Sequence, residues 1–97
     1  MASHKIMDLL GISAFCESLG MMIKAGIPVS EAVNLLGRNH DSKGPLGQTL
    51  VDMEHAIDEG STLAGAMKGS GIFPDYAVKM VEAGESTGRL EDILFRL

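Results

Sequence analysis

Residues 11–37 read GISAFCESLGMMIKAGIPVSEAVNLLG, and two helices with the stop between them are written into that stretch. Ile12, Phe15, Cys16, Leu19 and Ile23 recur at i, i+3, i+4, i+7 and i+11, which places them along one face of an α-helix ending near Lys24. Gly26 is the natural stop, because a residue just past a helix end turns left-handed without steric cost when it lacks a Cβ. Pro28 has no amide to donate and a φ already near the helical value, so it suits the first turn of a second helix. That helix turns Val29, Ala32, Val33 and Leu36 inward.

The same grammar runs through the rest of the chain. Gly37 to Gly44, with Asn39, Asp41 and Ser42, reads as a loop, and Pro45 opens a third helix carrying Leu46, Leu50, Met53 and Ile57 inward as far as Gly60. Ser61 is the expected N-cap of a short fourth helix with Leu63, Ala66 and Met67, broken by Gly69, Ser70 and Gly71. Pro74 starts a fifth helix with Ala77, Met80, Val81 and Gly84 on one face. Ser86 to Gly88 then separate it from a sixth with Leu90, Ile93, Leu94 and Leu97. Every proline stands at a helix start, so period and punctuation agree. The fold expected is all-α, an antiparallel up-and-down bundle of about six short helices in three hairpins, over residues 11–97 after an N-terminal tail at 1–10. Gly26 and Gly60 lie 34 residues apart, which admits an alternative, a tetratricopeptide-like adaptor, although the aromatic and Leu-Gly signature of that repeat is missing.

Composition narrows the function. With no Trp, one Tyr and three Phe, core volume comes from aliphatic side chains and seven Met, which favours helices over a sandwich. A net charge of −5 with Lys and Arg scattered singly excludes a nucleic-acid partner, since binding a phosphate backbone needs clustered cations. The lone cysteine, Cys16, sits on an apolar helix face, where a thiol acts as a small hydrophobe in a reducing setting. No apolar run reaches the roughly 18–20 residues that span a bilayer, and Asp8 interrupts the short apolar stretch at the N-terminus, which lacks a signal-peptide layout. The helical pattern continues to the last residue, Leu97, and reads as part of a larger protein.

Few motifs carry chemistry. Gly84-Glu85-Ser86-Thr87-Gly88 matches the G-x-S-x-G elbow of serine hydrolases, but no strand precedes it and no His follows His55, so the order of that triad cannot be completed. Gly69-Ser70-Gly71 lacks the Gly-Lys-Ser/Thr of a phosphate loop. His4, His40 and His55 have no second His or Cys at i+3 or i+4 to make a zinc face. An enzyme is therefore not expected. The helix dipole explains most charges: Glu31, Asp75, Glu91 and Asp92 lie in first turns, and Lys24, Arg38 and Lys68 in last turns. Glu85 is the exception, at the C-terminal end of helix five, and needs a partner: Arg89, a backbone amide or a divalent cation.

Three blocks resemble one family. Phe15 and Leu19 followed by Ala25-Gly26-Ile27-Pro28-Val29 and Glu31-Ala32 form the first. Glu59-Gly60-Ser61-Thr62-Leu63 with Ala66 forms the second. Phe73-Pro74 and Met80-Val81-Glu82-Ala83-Gly84-Glu85-Ser86-Thr87-Gly88-Arg89-Leu90 form the third and most specific. In order and spacing they resemble the type II secretion system F domain.

That resemblance implies a cytoplasmic scaffold domain of a bacterial inner-membrane platform protein, in type II secretion or type IV pilus assembly, attached to the membrane only through segments absent from this chain. It implies contacts with the assembly ATPase and neighbouring inner-membrane components, pilin subunits as a further candidate, and a homodimer. No cofactor is required, but some members bind calcium near the dimer interface. The corresponding residues here are Glu31 and Glu85, with Glu91 near the second. Ser30 stands where many relatives carry an acid, so one carboxylate is missing. The stretch Met21, Met22, Ile23, Ile27, Pro28 and Val29 is apolar nearly all round and reads either as a partner surface or as bundle core.

Overall fold

A computed structural model describes residues 9–39 and 45–96. The helices are α1 (Leu9–Lys24), α2 (Val29–Asn39), α3 (Pro45–Asp58), α4 (Leu63–Ser70), α5 (Asp75–Thr87) and α6 (Leu90–Arg96), with no strand among the described residues. The prolines act where their chemistry allows. Pro45 is the first residue of α3, Pro74 is the extended residue before α5, and Pro28 precedes α2 with its carbonyl accepting from Ala32 N at 2.9 Å.

Gly26 and Gly60 end α1 and α3 with φ of 95° and 110°, a conformation that a Cβ would strain. Past each glycine the chain folds back on the helix it has left. Ile27 N donates to Met22 O at 3.0 Å and Ser61 N to Ala56 O at 2.9 Å, the long bond of a Schellman turn that satisfies an orphan carbonyl.

Three boundaries differ from the expectation. Gly37 does not open a loop: α2 continues through it to Asn39, and the missing side chain lets Leu50 Cβ of α3 sit 3.4 Å from where a Cβ would stand. Close packing outweighs the glycine's weak helix propensity there. Gly69 and Ser70 are helical, and Gly71 alone makes the left-handed stop. Ser86 and Thr87 complete the last turn of α5 before Gly88. Residues 1–8, His40 to Gly44, the Leu46 side chain and Leu97 lie outside what is described.

The helices form a closed ring. Each packs on its neighbours in sequence, and α6 returns to α1, a more extensive contact than that between α1 and α2. An open tetratricopeptide-like array would leave first and last helices apart. Inward-facing Phe15, Leu19, Val33, Leu50, Leu63, Met67, Val81 and Leu94 share one core, each fully buried hydrophobe contributing about 1.5–3 kcal/mol. The Phe15 and Phe73 rings meet at 5.2 Å with a 52° tilt. Asn34 of α2 donates to Glu54 Oε1 of α3 at 2.8 Å, a polar tie at the edge of that core.

Candidate functional site

The second and third sequence blocks meet where α4, α5 and α6 come together. A helix begins with backbone amides that have no partner inside it, and α4 begins at Leu63. Thr62, not Ser61, is its N-cap: Thr62 Oγ1 accepts from Gly65 N at 2.9 Å, while Ser61 Oγ donates to the Thr62 carbonyl at 2.9 Å. A capping box would need Glu or Gln at position 65, and the residue there is Gly65, whose Cβ would stand only 2.8 Å from Ser61 Oγ. Thr62 Oγ1 serves Gly65 N, so the amides of Leu63 and Ala64 need an acceptor from elsewhere.

Glu85 supplies it. Its Oε2 accepts from Leu63 N at 2.8 Å and its Oε1 from Ala64 N at 3.1 Å, across 22 and 21 residues of chain. Glu85 lies in the last turn of α5, where its own helix dipole opposes a negative charge by about 0.3–1 kcal/mol. Hydrogen bonds to a charged group are worth about 1.5–3 kcal/mol each, and the positive end of α4 adds to them. The second helix wins over the first. The partner is a pair of backbone amides from a distant helix, and the side chain of Arg89 is exposed.

The residues beside Glu85 have equally definite tasks. Gly84 is buried under α6: a Cβ there would stand 3.0 Å from Ile93 Cγ1 and 3.1 Å from Leu90 Cα. Thr87 Oγ1 donates to Ala83 O at 2.9 Å. Gly88 takes φ 74°, and Arg89 N then reaches Gly84 O at 2.9 Å, which aims the chain into α6. Ser86 is exposed within a helix, without the strand-to-helix turn a nucleophile elbow requires. His55, exposed on α3, stands apart from this junction.

Glu31 is exposed in the first turn of α2, a helix packed between α1 and α3 with no extensive contact to α5. Glu91 is exposed in the first turn of α6, and Ser30 is half-buried. Among the described residues no three His, Cys, Asp or Glu side chains are grouped to hold a metal ion. Cys16 is fully buried, and burial pushes its thiol up from 9.0 to about 11, leaving it protonated near neutrality.

The apolar stretch around Met21 divides. Met22, Ile23, Ile27 and Val29 pack partly buried against the core, whereas Met21 is 60% exposed. Beside it Phe95, 42% exposed, lies over Gly20, with its ring atoms 3.6 Å from where a Cβ would stand and Lys24 Nζ 6.0 Å from the ring centroid. An open groove of about 240 Å³ separates α3 from α4, with Asp52, Met53 and Ala56 on one wall and Gly65, Ala66 and Gly69 on the other. No helix among the described residues is long and apolar enough to cross a membrane.

Comparison with known proteins places these features in context. A family model described as type II secretion system (T2SS), protein F matches residues 15–97. A type IV pilus assembly protein PilC of Myxococcus xanthus is 24% identical over 92 residues, covering 95% of this chain and 22% of the relative. A protein transport protein HofC homolog of Escherichia coli is 32% identical over 82 residues, covering 84% and 20%. A type II secretion system protein F of Xanthomonas campestris is 30% identical over 95 residues, covering 96% and 23%. The chain thus spans between a fifth and a quarter of the length of these relatives.

Proposed function

The chain belongs to the type II secretion system protein F family, and from that premise we propose that it is a non-catalytic scaffold domain of an inner-membrane platform protein. It works on the cytoplasmic side, in secretion or type IV pilus assembly, and is held at the membrane by other parts of the parent protein. Its task is binding. It docks the assembly ATPase and neighbouring platform components, contacts pilin subunits, and pairs with a second copy of itself.

One observation carries the non-catalytic part of this reading: the central residues of the most specific sequence block are engaged in architecture. Gly84 seats α6, Glu85 caps α4, and Gly88 turns the chain, so these three residues of the block serve the fold and not a substrate. The exposed Met21 and, over the adjacent Gly20, the exposed Phe95 favour a partner-facing surface on α1 and α6, because apolar side chains grouped into one exposed patch mark contact sites, whereas single ones do not.

Isothermal titration of the domain with the assembly ATPase of the same machine tests the docking. Saturable binding is expected, weakened at least about tenfold, or 1.4 kcal/mol, by Met21→Glu with the domain's melting temperature preserved. A wild-type domain that takes up no ATPase would overturn it.

A further inference from the structure

The family resemblance points to calcium held by Glu31 and Glu85, and the donor set of this chain does not fit that ion. Calcium takes six to eight oxygens, with carboxylates contributing most of the charge. Glu85 already gives each of its oxygens to an amide of α4, at 2.8 and 3.1 Å. Those two amides are cationic in effect, being the positive end of a helix, and they occupy the face of the carboxylate that a cation would need. Glu31 sits on a helix that makes no extensive contact with α5, and Ser30 brings a hydroxyl where a further carboxylate would have to stand.

We infer that Glu85 is the inter-helix cap of α4 and not a cation ligand, so that the folding and self-association of this chain are independent of calcium. Each oxygen keeps a further lone pair, but a cation there would stand against the positive end of α4, which already neutralises the carboxylate. To turn that face to an ion it would have to release Leu63 N and Ala64 N, and leaving such amides unpaired carries a desolvation cost of its own. Leu63 and Ala64 are buried, so water does not readily replace the lost acceptor. The inference goes beyond the scaffold reading and stands whether or not the ATPase is the partner.

Thermal melting and sedimentation with and without millimolar calcium chloride, on wild type, Glu31→Gln and Glu85→Ala, form the first arm of the test. A cation that binds only the folded or paired state must raise its stability by mass action. The expected result is that calcium shifts neither melting nor association in any of the three proteins. Glu85→Ala should melt lower by the same amount in both buffers.

Amide hydrogen exchange forms the second arm. Protection at Leu63 and Ala64 should fall at least about tenfold in Glu85→Ala and stay unchanged in Glu31→Gln, with calcium again without effect. Calcium that stabilises or dimerises the wild type, with the gain lost in Glu31→Gln, would overturn the inference. So would unchanged protection at Leu63 and Ala64 in Glu85→Ala. If Glu85→Ala does not fold, the calcium response of wild type against Glu31→Gln still decides the matter.

Discussion

Alanine placed at two helical glycines of this protein should move its stability in opposite directions. In an open helix, Gly→Ala is stabilising by up to about 1 kcal/mol, because glycine loses more backbone freedom on folding. At Gly84 a new Cβ would meet Ile93 Cγ1 at 3.0 Å, Leu90 Cα at 3.1 Å and Ile93 Cβ at 3.2 Å. Leu90 Cα is backbone and cannot rotate aside, so α6 as a whole must move away from α5. Overpacking of this kind costs about 1–3 kcal/mol, and a backbone contact belongs in the upper half of that range. Subtracting the propensity gain, smaller in a last turn, leaves a net loss of about 1–2 kcal/mol, or about 4–16 °C in melting temperature for a domain of this size. At Gly69, also helical, a Cβ would meet nothing within 4 Å. Gly69→Ala should therefore raise stability by about 0.4–1 kcal/mol. Urea unfolding followed by circular dichroism reads both, with the slope in denaturant confirming that only stability has changed. A Gly84→Ala protein as stable as the wild type would refute the close approach of α5 and α6.

Further substitutions test other joints of the fold. Leu94 is 1% exposed at the centre of the α1 and α6 contact, so Leu94→Asp, which buries a lone carboxylate, should cost several kcal/mol, and melting within a few degrees of wild type would mean that α6 is not packed there. Thr62→Ala should cost about 1 kcal/mol of stability by removing the acceptor for Gly65 N, and Ser61→Ala clearly less; equal losses in chemical unfolding would contradict the assignment of the cap. Because burial raises the Cys16 thiol to about 11, the folded protein holds its proton where the unfolded chain releases it, near 9. Stability should therefore fall as pH rises from about 9 to about 11, and Cys16→Ala should remove that part of the slope in unfolding measured across the window.

What the sequence determined by itself is the set of elements, since helix formation is written within a few residues. The i, i+3, i+4 recurrence of Ile12, Phe15, Cys16 and Leu19 needs no knowledge of a neighbour, and neither does a proline at a helix start or a glycine at φ 95° behind α1. Where local signals pull against packing they mislead: Gly37 and Ser86 look like breaks in isolation, yet α2 and α5 run through them, Gly37 giving Leu50 room to approach. The family blocks were legible too, because they recur as residue types at set spacing. Their tasks were not. That Glu85 needed a partner followed from its place against a helix dipole, but the fourth helix read as already capped by Ser61, so nothing in the sequence pointed to its amides. Joining the two required knowing that α4 and α5 lie side by side with those ends together. The closure of α6 on α1, with Leu94 Cβ 3.2 Å from where a Cβ on Gly20 would stand, was likewise decided only in three dimensions. The physical reason is range: backbone hydrogen bonds of a helix span four residues and can be read along the chain. Burial and capping between helices join residues brought together only when the whole core forms, and one helix face is compatible with several neighbours until the others have taken their places.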